Sequence, residues 1–110
     1  MSEDMLMGTT ATDKEGFLLD PQSWTPESAE HIAKKEGLRL EDGHWEVINV
    51  LRDFYREYET APAMRVLVKV VRHSLGEEKG NSIYLMQLFP GSPAKLASKI
   101  AGLPKPTNCL

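Results

Sequence analysis

Proline and glycine divide the chain from residue 21 to residue 104 into short segments, and each segment carries apolar residues at helical spacing. That punctuation leaves little room for anything but a set of short helices around one core. Thr25-Pro26-Glu27 reads as an N-cap, a first-turn proline and an acidic residue suited to the positive helix end. The stripe Ala29, Ile32 and Ala33 then runs to a stop at Gly37. A second helix is predicted over Asp42–Tyr58, with Trp45, Ile48, Tyr55 and Tyr58 in register and Val47, Val50 and Phe54 widening the stripe. It is the most apolar and aromatic segment, so it is expected at the centre. Thr60-Ala61-Pro62 breaks it. A third helix follows from Pro62 to about Leu75, burying Met64, Leu67, Val68, Val71 and Leu75 and ending at Gly76. Asn81 or Ser82 caps a fourth, which stops before Pro90; Ser92-Pro93 opens a fifth that runs to about Ala101 and stops at Gly102. Ahead of these, Asp13 to Leu19 reads as a turn and a short strand closed by Pro21, which predicts a small N-terminal β-meander or hairpin. Residues 1–12 are polar and irregular and are expected to fray. The fold class is therefore α+β and mostly helical, in a single domain of 1–110, with about five helices and a flexible C-terminal arm over 103–110.

With 110 residues the chain supports one modest core and no separate cofactor domain. No run approaches the ~20 apolar residues of a membrane span, and the acidic start Met1-Ser2-Glu3-Asp4 lacks a signal-peptide pattern. A single cysteine excludes an internal disulfide and a Cys-x-x-Cys pair, which points to a reducing, cytoplasmic setting. Charge is segregated along the chain. All 16 acidic side chains lie in residues 1–78, whereas residues 79–110 carry Lys79, Lys95, Lys99 and Lys105 and no acid. Such a cationic third favours a thiolate near it, or an acidic partner surface; lysines that merely solubilise a short helix explain it equally well.

The lone cysteine is Cys109, next to the end of Leu103-Pro104-Lys105-Pro106-Thr107-Asn108-Cys109-Leu110. Two prolines keep that stretch out of helix. Cys109 is seven residues on from Gly102, so an extended arm carries the sulfur on the order of 20 Å from the helix end. No histidine or helix N-terminus lies beside it in sequence to act as an activating partner, and the adjacent terminal carboxylate opposes ionisation. Local chemistry thus suits a carrier thiol, completed by another protein, better than a self-contained catalytic cysteine. His31, His44 and His73 lack zinc-ligand spacing, and the sequence calls for no metal and no cofactor. Arg65, Lys69 and Arg72 form a basic stripe on the third helix, beside a helix-break-helix that has the outline of a helix-turn-helix. The overall acidity opposes direct nucleic-acid contact.

Several blocks together resemble the DsrC/TusE family of sulfur carriers: Gly16-Phe17-Leu18 through Trp24, His44 to Ile48, Arg52 to Tyr55, Pro62 to Lys69, and Leu88-Phe89-Pro90. The most specific is Ile100 to Pro106 followed by Cys109 and one further residue. The resemblance implies an N-terminal β-meander on a helical array with a helix-turn-helix-like core. It implies that Cys109 accepts a sulfane sulfur as a persulfide. Family members that work with dissimilatory sulfite reductase carry a second cysteine eleven positions earlier, and here that position is Ser98. The chain therefore resembles the TusE branch, whose implied partners are a TusBCD-like donor complex and an MnmA-like tRNA thiouridylase that makes wobble 2-thiouridine. Arg65, Lys69 and Lys105 are candidates for docking a partner or steadying the arm. Two alternatives stay open: a sulfite-reductase partner lacking its second cysteine, and a non-enzymatic helix-turn-helix regulator.

Overall fold

Five α-helices build the computed structural model, which describes residues 11–106: α1 (Pro26–Lys35), α2 (Asp42–Tyr58), α3 (Met64–Leu75), α4 (Ser82–Leu88) and α5 (Pro93–Ile100). Their ends follow the local chemistry. Thr25 Oγ1 accepts from the Ser28 amide while Ser28 Oγ accepts from the Thr25 amide, a reciprocal cap. Asn81 caps α4 through the Tyr84 amide. At the start of α2, His44 is folded back and buried. Its Nδ1 accepts from the Glu41 amide, its Nε2 donates to the Leu88 carbonyl at 2.8 Å, and its ring meets Phe89 edge-on. The ring thus ties the first turn of α2 to the last turn of α4.

The centre of the molecule is α5, not the longer and more aromatic α2 that the sequence suggests. It packs against each of the other four helices, and six of its eight residues are buried. Small side chains at Ala94, Ala97 and Ser98 let its neighbours approach closely, and Ile100 completes the buried face. Around it lie Ile32 and Ala33 from α1, Val47, Ile48 and Leu51 from α2, Leu67 and Val71 from α3, and Leu85 from α4.

The expected N-terminal β-meander is absent. Among the described residues there is no β-strand, only an isolated antiparallel bridge between Thr12 and Leu18. The α+β expectation is thereby corrected to an all-helical fold with a looped entry. The cause is the turn itself. The Asp13 carboxylate accepts from the Glu15 and Phe17 amides, and Gly16 sits at φ +94°, so Asp13–Phe17 closes into a tight loop rather than an extended ladder. Phe17 and Leu18, consecutive residues, are both buried, which breaks the alternation a half-exposed strand needs. Asp20 then caps a 3₁₀ turn over Pro21–Ser23, and Pro21 has no amide to extend the pairing. Of the segment 1–12, only Ala11 and Thr12 are described; the Ala11 carbonyl accepts from the Leu19 amide.

Candidate functional site

Cys109 lies outside the described residues, so the site is read from the root of the arm that bears it. That root is built into the body of the protein. Helix α5 ends in a doubly bonded turn: the Gly102 amide donates to the Lys99 carbonyl at 3.2 Å and the Leu103 amide to the Ser98 carbonyl at 2.9 Å, with Gly102 at φ +79°. This is the helix stop that a left-handed glycine makes possible. Two carbonyls remain beyond those bonds, and side chains from far upstream take them. Trp24 Nε1 donates to the Ile100 carbonyl at 2.9 Å. An Arg52 Nη donates to the Ala101 carbonyl at 3.0 Å and to the Pro21 carbonyl at 3.3 Å. The guanidinium also stacks over the Trp24 ring, 4.4 Å from its centroid. A cation at the C-terminal end of α5 meets the negative pole of that helix. Burial holds the Arg52 pKa below its ordinary value, and the nearby positive charge of Arg56 pushes the same way. Arg52 has carbonyl partners in place of a carboxylate, and a cleft of about 370 Å³ lined by Pro21, Gln22, Tyr55, Arg56 and Glu59 opens beside it.

Leu103 then inserts fully into the core and Pro106 is buried, so the start of the arm is anchored at both residues while Pro104 and Lys105 between them are exposed. Between them Lys105 pairs with the Glu15 carboxylate at 3.1 Å, and Lys95 approaches the same group at 3.7 Å. The hydrogen bond and charge of Lys105 lower the Glu15 pKa. Glu15 belongs to the Asp13–Phe17 loop, so that loop and the arm hold each other.

The four lysines of the cationic C-terminal third all have acidic partners from the rest of the chain. Lys79 pairs with Glu46 at 2.7 Å, Lys99 with Glu36 at 2.9 Å, and Lys95 and Lys105 share Glu15. The charge segregation of the sequence is thus spent largely inside the fold. Arg65 and Lys69, the other two candidates, are exposed on α3 and stand apart from this set. Arg72, third in the stripe, is engaged through Nε with the Gly80 carbonyl. Among the described residues, no three His, Cys, Asp or Glu side chains converge to hold a metal ion. No helix among them is long and apolar enough to cross a membrane.

Ser98 is fully buried in α5, and its Oγ has no hydrogen-bond partner among the described residues. It sits directly beneath the arm root, because its carbonyl receives the Leu103 amide. Sequence reasoning missed Trp24, Arg52 and Glu15 as arm-holding residues. Trp24 and Arg52 reach carbonyls 76 and 49 positions away, and no local pattern signals such a bond.

Comparison with known proteins agrees with this architecture. The family model described as DsrC like protein matches residues 6–110. The sulfurtransferase TusE homolog of Haemophilus influenzae is 57% identical over 99 residues, covering 90% of this chain and 91% of that protein. Sulfurtransferase TusE of Escherichia coli is 54% identical over the same length and with the same coverage of both chains. Among solved structures, Allochromatium vinosum DsrC superposes with a TM-score of 0.83 at 53% identity, covering 91% of this chain and 89% of that one. The oxidised γ-subunit of dissimilatory sulfite reductase (DsrC) from Archaeoglobus fulgidus superposes with a TM-score of 0.78 at 41% identity, covering 91% of each chain. With the family model spanning nearly the whole sequence and relatives more than half identical across nine-tenths of it, this chain belongs to the DsrC-like family.

Proposed function

We propose that this protein is a sulfurtransferase of the relay type, carrying sulfane sulfur as a persulfide on Cys109. The supporting observation is a single thiol at the end of an arm whose root is clamped by Trp24, Arg52 and the Gly102 turn. Cys109 follows the buried Pro106 by three residues in the sequence, and a short tether raises the effective concentration of a reactive group at a docked partner. The naming of relatives at 57% and 54% identity as sulfurtransferases supports the same chemistry.

In the proposed step the Cys109 thiolate attacks the outer sulfur of a donor persulfide. A new S–S bond forms at Cys109, the donor S–S bond breaks, and the donor cysteine leaves as a thiolate. The outer sulfur moves with its own proton, and no external oxidant or reductant is consumed. Onward transfer repeats the exchange with an acceptor thiol. The donor in this reading is a TusBCD-like complex and the acceptor an MnmA-like tRNA thiouridylase, in the cytoplasm, for wobble 2-thiouridine. The test is intact-protein mass spectrometry after incubation with the persulfidated donor. Wild type gains one sulfur and Cys109→Ser gains none; uptake by the serine variant refutes the mechanism.

The likeness to DsrC structures favours a second reading, a partner of sulfite reductase. That reading loses support at Ser98. A buried hydroxyl cannot form an S–S bond with Cys109, so two oxidation states cannot be stored within one chain. Direct nucleic-acid binding loses support at Arg72, which is committed to the Gly80 carbonyl.

A further inference from the structure

Helices α2 and α3 enclose a groove of about 630 Å³ that the arm root does not use. Its apolar lining is Val50, Phe54 and Tyr58 from α2 with Val66 and Val70 from α3. Tyr58 is 58% exposed and Val66 41%, so large apolar surface stands open to water here. The polar lining is sorted by sign. Asp53 and Glu57 lie one turn apart on α2; Lys69 and His73 lie one turn apart on α3, and exposed Arg65 continues that row. Asp53 is partly matched by Arg56 at 2.6 Å, which leaves Glu57 as the main anionic edge. Each wall spans Val50 to Tyr58 or Val66 to Ser74, about 12 Å at 1.5 Å per residue, or two helical turns.

We propose that this groove receives an amphipathic helix of mixed charge from a partner protein. The helix presents an apolar ridge of two turns, an acidic edge to Lys69 and a basic edge to Glu57. The proposal rests on the chemistry of the groove and not on the sulfur-carrier reading. Two observations choose this occupant. The opposed rows of charge suit a mixed-charge helix and repel a phosphate backbone along the α2 side. A second copy docked groove to groove about a two-fold axis sets concave surface against concave surface.

The test is an NMR titration of the ¹⁵N-labelled full chain with a synthetic helical peptide of about five turns, carrying a leucine ridge, a glutamate edge and a lysine edge. Shifts centred on Phe54, Tyr58, Val66 and Val70 support the proposal. Lys69→Glu weakens binding by about three- to tenfold, and Val66→Asp abolishes it; both positions are exposed, and thermal melts verify that the variants fold. Ile83 and Met86 on α4 are also exposed apolar side chains, and shifts centred on them overturn it, as does equal binding of a peptide with lysine on both edges. Concentration-dependent broadening at the groove without peptide overturns it in favour of a second copy. Shifts at the same residues with an RNA duplex overturn it in favour of nucleic acid. Loading of Cys109 by inorganic polysulfide is followed on the same samples. Lys69→Glu loads like wild type, and failure of wild type to load refutes the carrier reading without touching the peptide result.

Discussion

Replacing Gly102 with alanine tests the arm root quantitatively, because the fold contains its own control. Gly37 and Gly102 end α1 and α5 in the same way. Each sits in left-handed backbone, at φ +73° and +79°, and each is followed by a residue whose amide bonds back to the last turn: Leu38 to Ala33, and Leu103 to Ser98. Alanine at either site incurs the left-handed penalty of roughly 1–2 kcal/mol. The surroundings differ. A Cβ at Gly37 meets nothing within 4 Å, whereas one at Gly102 falls 2.4 Å from Trp24 Cδ1 and 2.8 Å from Cγ. Trp24 cannot simply step aside, since Ile100 holds its Nε1 and Arg52 lies on its face. Relieving such overpacking costs about 1–3 kcal/mol. Gly102→Ala is therefore expected to lose about 2–5 kcal/mol and Gly37→Ala about 1–2. Against a typical total of about 5–15 kcal/mol the first is a severe loss. Urea unfolding of both variants, with midpoint and slope fitted separately, measures the difference. A Trp45→Phe background lets fluorescence report Trp24 alone. Equal destabilisation of the two variants, with Trp24 emission unchanged at position 102, refutes the account of the root.

Arg52→Ala is expected to cost about 2–4 kcal/mol, from charge-assisted bonds to two carbonyls and the stacking on Trp24. Arg52→Lys recovers only part of it, because an ammonium cannot reproduce the planar fork; urea melts of the pair check both. Ser98→Ala removes a buried hydroxyl with no partner and is expected to leave stability unchanged or raise it by about 1 kcal/mol; a clear drop in the urea midpoint reveals a partner for the Oγ. Glu15 titrates below its ordinary value because of Lys105. Its contribution is complete above the ordinary carboxylate range and disappears as pH falls through the lowered value. A ¹³C-carboxyl titration is expected to show that depressed midpoint, and Lys105→Met to move it up; an unmoved midpoint removes Lys105 as the cause. Raising the salt concentration weakens the same exposed contact.

Helix positions were legible because their signals are local. Thr25 with Pro26, Asn81, Ser92 with Pro93, and the glycines at 37, 76 and 102 act within a turn of themselves, and the observed helices start and stop at or within two residues of those signals. The β-meander was misread where a local rule met a stronger one. The residues from Phe17 to Leu19 have strand character, but the Asp13 side chain captures the amides that a ladder would need. The rank of α5 was hidden for a different reason. Its alanines and serine make a weak apolar stripe, and their value lies in the close approach they permit to four other helices.

The sequence alone determined the number of the helices and their bounds to within two residues, and the single thiol and its place beyond the last helix, since all of these depend on residue identity and short-range spacing. Tertiary structure decided what holds the arm and what the charges do. Trp24 and Arg52 find the end of α5 only because folding brings residues 76 and 49 positions apart into contact. The same folding brings the four C-terminal lysines onto Glu15, Glu36 and Glu46, so a cationic segment that reads as a partner surface becomes internal pairing. Charge along a chain is additive, whereas its effect depends on distances in space, and those are set only when the helices pack.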